Sequence, residues 1–80
     1  MNNETILKRV INLLATMKEL ENEVTADSEL IDDLGISSMD LVALITSLEE
    51  EFEVKIPVNA IRKMYTIADV VEIIDELISE

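Results

Sequence analysis

Residues 37–57, SSMDLVALITSLEEEFEVKIP, decide the fold. Within them Leu41, Leu44, Ile45, Leu48 and Phe52 recur at three- and four-residue intervals, the period of one helix face rather than the alternation of a strand. Ser37-Ser38-Met39-Asp40 stands at the head of this stripe, a serine N-cap followed three residues on by an acid, as in a variant capping box. At the far end Val54-Lys55-Ile56 leads into Pro57, which disfavours helix in the residue before it, so helix 2 is expected to end near Glu53. Pro57 itself suits the start of a short third helix over residues 57–63.

The same period extends on both sides. Upstream, Ile6, Leu7, Val10, Ile11, Leu14 and Met17 form a stripe with Asn2 or Asn3 available to cap and Glu4 in the first turn, which places helix 1 over residues 3–18. Downstream, Thr66 and Asp69 repeat the cap-and-acid spacing. Ile67, Val70, Val71, Ile74, Leu77 and Ile78 then give helix 4, reaching nearly to the last residue. Between residues 19 and 37 the periodicity fails over a span longer than an ordinary helix connection. Val24, Leu30, Ile31, Leu34 and Ile36 anchor that span as a packed loop, with one helical turn around Ser28–Asp33. Gly35, the only glycine, falls at a turn. One Gly, one Pro and no alternating strands predict an all-α fold: a four-helix bundle of three main helices, a short third helix and a long first loop, in a single domain over residues 1–80.

Charge narrows the function classes. Eighteen Asp and Glu oppose six Lys and Arg, a net charge of −12, and residues 19–53 hold twelve acids and no base while the rest of the chain is balanced. Nucleic acid is excluded as a partner, because binding its backbone depends on Lys and Arg displacing counterions. Anionic membrane surfaces are disfavoured by the same sign, whereas a protein with a basic face would be attracted. Self-repulsion favours a monomer. The chain is not a disordered polyanion, since Leu, Ile, Val and Phe supply 29 of its 80 residues. Its core is near the lower limit for independent stability, with no Cys available for a disulfide, so helix packing must hold it. The longest apolar run, Leu41–Ile45, is far too short to span a membrane and the N-terminus shows no cleavable signal pattern; a soluble cytoplasmic protein is expected.

With no His and no Cys the usual general base and thiolate nucleophile are missing, and no catalytic residue is assigned. Asp27, Glu29, Asp32 and Asp33 lack the alternation and central glycine of a calcium loop, so no metal site is assigned either. Two features call for more. Only one of Ser37 and Ser38 is needed as a cap, and at a helix start the unpaired N–H groups and the dipole favour an anion; Ser38 is therefore a candidate for modification by another enzyme. Glu49, Glu50, Glu51 and Glu53 crowd the negative end of the same helix, where each acid is unfavourable by about 0.3–1 kcal/mol. A run of this kind is either a solvated face or a recognition surface.

At these residues the chain resembles the acyl carrier protein family, whose modification site typically reads Asp-Ser-Leu after Leu-Gly. The match is Leu34-Gly35-Ile36-Ser37-Ser38-Met39-Asp40, and it continues through Val42, Leu44, Leu48, Glu49-Glu50-Glu51-Phe52, Ile56-Pro57, Thr66 and Asp69 over almost the whole chain. The resemblance implies the family's four-helix bundle, with 4′-phosphopantetheine attached to Ser38 from coenzyme A by a phosphopantetheinyl transferase. It implies acyl or related groups carried as thioesters, and partner enzymes whose basic patches dock along helix 2 at Met39, Asp40, Glu49 and Glu50. A pocket for the acyl chain would be lined by Ile45, Leu48, Ile61 and Met64, residues equally explained as core.

The departures from the family pattern are specific. Ser37 replaces the usual Asp, and only the register assigns the modification to Ser38 rather than Ser37. Ala43 and Thr46 leave helix 2 without charge between Asp40 and Glu49, and Arg62 and Lys63 make helix 3 more basic than in carriers of fatty-acid synthesis. These features point to a specialised lipid or secondary-metabolite pathway. Two other readings stay open: an acidic interaction module without a prosthetic group, and a peptidyl or D-alanyl carrier that keeps the mechanism and changes the cargo.

Overall fold

A computed structural model of the chain describes residues 1–20 and 23–79. Residues 21 and 22, within the long first connection, and residue 80 lie outside them. The fold is all-helical: α1 (Asn3–Met17), α2 (Ser38–Phe52), α3 (Val58–Ile61) and α4 (Ile67–Ser79). Each long helix begins where a side chain can take up orphan N–H groups. Asn2 Oδ1 accepts from Thr5 N–H at 2.8 Å and caps α1. At the head of α4, Asp69 Oδ2 accepts from Thr66 N–H (3.0 Å) while Thr66 Oγ1 accepts from Asp69 N–H (3.2 Å), the cap-and-acid pair expected from spacing.

The stripes meet in one core. Ile6, Val10 and Leu14 of α1, Leu44, Ile45, Leu48 and Phe52 of α2, and Ile67, Val70, Val71 and Ile74 of α4 are buried together, closed by Leu30, Leu34, Ile36, Ile56 and Met64 from the connections. Full burial of one such aliphatic side chain is worth roughly 1.5–3 kcal/mol, so packing of these faces is what holds a chain without cross-links. Leu7, Ile11, Met17, Leu41, Leu77 and Ile78 lie at the margins, partly buried. α1 packs on both α4 and α2. Arg9 pairs with Glu51 at 2.7 Å near the end of α2, whereas Lys18, just past α1, reaches Gly35 just before α2, so these two helices run antiparallel.

The long connection is a packed structure tied to α4. Leu30 N–H bonds to the Tyr65 carbonyl (2.8 Å), Ile67 N–H to the Ser28 carbonyl (3.0 Å) and Ala68 N–H to the Ala26 carbonyl (2.8 Å). The expected turn is present, closed by Asp33 N–H on the Glu29 carbonyl at 3.0 Å and capped by Asp33 Oδ2 on Glu29 N–H at 2.7 Å. One anchor is corrected. The turn directs Leu30 and Leu34 inward, four residues apart on one face, and leaves Ile31 64% exposed. Helix 3 is also shorter than residues 57–63. Pro57 has an extended ψ of 154° and acts as the N-cap, and past Ile61 the chain closes in tight turns, Lys63 N–H on the Ala60 carbonyl and Met64 N–H on that of Ile61. Among the described residues no helix is long and apolar enough to cross a membrane.

Candidate functional site

The site is the junction between the long loop and α2. Gly35 turns the chain with φ of +64°, a conformation that side chains disfavour. Ile36 is buried and anchors the next residue, and Ser37 is extended at φ −79°, ψ 172° before the helix begins. Ser37 is engaged in the cap: its Oγ accepts from Asp40 N–H, and its own N–H donates to Asp40 Oδ2, both at 3.1 Å. These bonds form the capping box, and the two serines are thereby distinguished. The N–H of Ser37 and then its hydroxyl hold the Asp40 carboxyl below its ordinary pKa, with a smaller contribution from the Lys18 charge.

Ser38 is the first residue of α2 and is exposed. Among the described residues its Oγ has no hydrogen-bond partner, and neither do the N–H groups of Ser38 and Met39. A phosphodiester on Ser38 Oγ fits this end of the helix, because it would lie beside two orphan donors and the positive end of a 15-residue dipole. Lys18 adds a cation at the same end, donating from Nζ to the Gly35 carbonyl at 2.7 Å.

Along the solvent face of α2 follow Met39, 83% exposed, Val42, 67% exposed, then Ala43, Thr46 and Glu50. The absence of charge between Asp40 and Glu49 thus leaves the middle of this face uncharged, with Met39 and Val42 its exposed apolar groups. The acids at its far end do not behave alike. Glu49 Oε2 accepts from Ile56 N–H at 2.8 Å and ties the end of α2 to the following turn. Glu51 pairs with Arg9, whose guanidinium also lies 5.2 Å from the Phe52 ring centroid. Glu53 closes the helix in the left-handed conformation at φ 53°, and Glu50 is exposed. The destabilisation expected of this run is therefore partly offset by two partners. Met39 and Asp40 stand one end of the helix apart from Glu49 and Glu50, about 15 Å at 1.5 Å per residue.

Beneath this face Ile45, Leu48 and Met64 are buried and Ile61 is packed against the same core. Met64 also borders a small cavity of about 140 Å³ with Glu29, Ile31, Asp32 and Tyr65. A larger cavity of about 320 Å³ opens on the loop side of the site, between Lys18, Glu19, Leu20 and the Asp32–Gly35 turn. Spacing did not reveal Lys18, the Arg9–Glu51 pair or the Glu49 tie. The one trace of Lys18 is its position as the last base before the long acidic stretch.

Residues 8–75 match a family model described as a phosphopantetheine attachment site. An acyl carrier protein of Clostridium perfringens (strain 13 / Type A) is 50% identical over 56 residues, which cover 70% of this chain and 74% of the relative. An acyl carrier protein of Akkermansia muciniphila is 33% identical over 78 residues, covering 96% of this chain and 98% of the relative.

Proposed function

The chain belongs to the acyl carrier protein family, whose prosthetic group is 4′-phosphopantetheine, and on that premise we propose that Ser38 is its attachment site and that the chain ferries acyl or related groups between enzymes. The observation that carries the assignment to Ser38 is the division of labour between the serines. Ser37 is consumed by the capping box, while the Ser38 hydroxyl is exposed and has no partner among the described residues. The prosthetic group supplies a thiol, which a chain without Cys lacks, and cargo held on it is a thioester. Ser38 and Met39 offer their N–H groups to the phosphate, and the capping box keeps the first turn of α2 formed around it. The chain carries and does not catalyse; the chemistry falls to a transferase and to acyl-handling enzymes, which a cytoplasmic monomer would visit in turn.

Those enzymes would approach the solvent face of α2 with an apolar patch opposite Met39 and Val42 and basic groups toward its acidic ends. Glu50 is the docking acid least tied up in the fold. Glu50→Lys should leave the unfolding free energy within about 0.5 kcal/mol of wild type, as for surface changes away from specific partners, yet slow association with a partner enzyme and flatten its salt dependence. Stopped-flow association over a series of salt concentrations reads both quantities. Unchanged rate and slope would make the run a solvated face. Glu49→Lys should slow association too, but with a loss of stability, because Ile56 N–H loses its acceptor.

The core at Ile45, Leu48, Ile61 and Met64 would have to part to shelter an acyl chain. Uncharged Ala43 and Thr46 and basic Arg62 and Lys63 favour a specialised pathway over housekeeping lipid synthesis. A peptidyl or D-alanyl carrier would differ only in cargo. Carriage is tested by loading the holo-protein from an acyl donor and treating it with neutral hydroxylamine. Release of the cargo with retention of the arm, read by intact mass, is the expected result. Cargo that resists hydroxylamine would not be a thioester, and a chain that takes neither arm nor cargo would be an acidic interaction module.

A further inference from the structure

Six hydrogen bonds hold the Gly35–Ser37 segment that leads into Ser38, two of them from Asp40 N–H to Ser37 Oγ (3.1 Å) and from Leu41 N–H to the Ser37 carbonyl (2.9 Å). Gly35 N–H bonds to the Ile31 carbonyl (3.1 Å), Ile36 N–H to the Leu30 carbonyl (3.0 Å) and Ser37 N–H to Asp40 Oδ2 (3.1 Å). These five are local to the loop and α2. The sixth is the Lys18 ammonium on the Gly35 carbonyl at 2.7 Å, and among the described residues it is the only hydrogen bond from the end of α1 to this segment. The approach is close: a Cβ built on Gly35 would lie 3.3 Å from Lys18 Nζ. Lys18 follows α1 in extended conformation, so its side chain leaves the helix axis and crosses to the α2 side. Its charge also suits the negative end of α1.

We propose that Lys18 is a positioning residue for phosphopantetheine transfer, holding the Gly35–Ser37 segment in the conformation that presents Ser38 to the transferase. The inference rests on Ser38 as the attachment site. In the transfer, Ser38 Oγ bonds to the pantetheine-bearing phosphorus of coenzyme A, the bond from that phosphorus to the bridging pyrophosphate oxygen breaks, adenosine bisphosphate leaves, and the hydroxyl proton passes to a base of the transferase. Lys18 touches none of these atoms. It acts by reducing the ordering that remains when the loop docks, a step in which small misplacements of the nucleophile are expensive.

The test compares the full chain as wild type, Lys18→Met and Lys18→Arg. Lys18→Met should lower kcat/KM for the carrier as transferase substrate by roughly fivefold, a loss in keeping with one exposed, charge-assisted hydrogen bond, with KM for coenzyme A unchanged. Lys18→Arg keeps a charged donor and should fall within about twofold of wild type. Hydrogen exchange separates positioning from stability. In Lys18→Met the amides of Gly35, Ile36 and Ser37 should exchange faster while those of Val10, Leu48 and Ile74 in the helices keep their protection. A wild-type rate in Lys18→Met would overturn the proposal, and so would faster exchange at both sets of amides or failure of Lys18→Arg to restore the rate. A wild type that takes up no phosphopantetheine would overturn the reading of Ser38 and the role of Lys18 together, and is thus distinguishable from failure of the Lys18 inference alone.

Discussion

Leu48→Ala should lower the free energy of unfolding by about 2–5 kcal/mol, the range for truncating a fully buried leucine. Leu48 is 0% exposed and lies mid-way along the buried face of α2, within the core shared by α1 and α4. The substitution removes apolar burial and leaves a cavity that three packed helices cannot close. A small domain has a total stability of only about 5–15 kcal/mol, generally at the low end when the chain is short, so the variant should be near the edge of folding at 37 °C. Val42→Ala on the exposed face of the same helix should change stability by less than about 0.5 kcal/mol. Urea denaturation followed by circular dichroism measures both. Equal losses for the two variants would mean that the inward and outward faces of α2 have been assigned wrongly.

That face assignment was legible in the sequence, and so was most of the fold. The helix-2 stripe, the Ser37–Asp40 spacing and the Thr66–Asp69 spacing are local patterns, and local patterns survive into structure when tertiary packing agrees with them. α1 and α4 followed from their stripes to within a residue or two. Features that depend on residues distant in sequence were out of reach. Glu49, Glu50, Glu51 and Glu53 read as one crowded acidic run, whereas folding gives Glu49 the Ile56 N–H and Glu51 the Arg9 guanidinium. Lys18 and Gly35 are seventeen residues apart and meet only because α1 and α2 are antiparallel.

Smaller misreadings have equally local causes. Ile31 looked like an anchor beside Leu30 and Leu34, but a helical turn places residues four apart on one side and turns the neighbour outward. Pro57 was expected as the first residue of α3, and its extended ψ makes it the residue before the helix instead. At the candidate site the sequence offered two adjacent hydroxyls and only a family register to choose between them. The capping bonds supply a physical distinction, since one hydroxyl is occupied at 3.1 Å and the other has no partner among the described residues.

That distinction is tested most directly by intact mass spectrometry of wild type, Ser37→Ala and Ser38→Ala after incubation with coenzyme A and a phosphopantetheinyl transferase. Wild type should gain one phosphopantetheine. Ser37→Ala loses the helix cap, worth about 0.5–2 kcal/mol, and should still gain the same increment once folded. Ser38→Ala keeps the cap and the fold and should gain none. An increment that persists in Ser38→Ala, or a wild type left unmodified by several transferases, would contradict the assignment of Ser38 as the point where this chain takes up its prosthetic group.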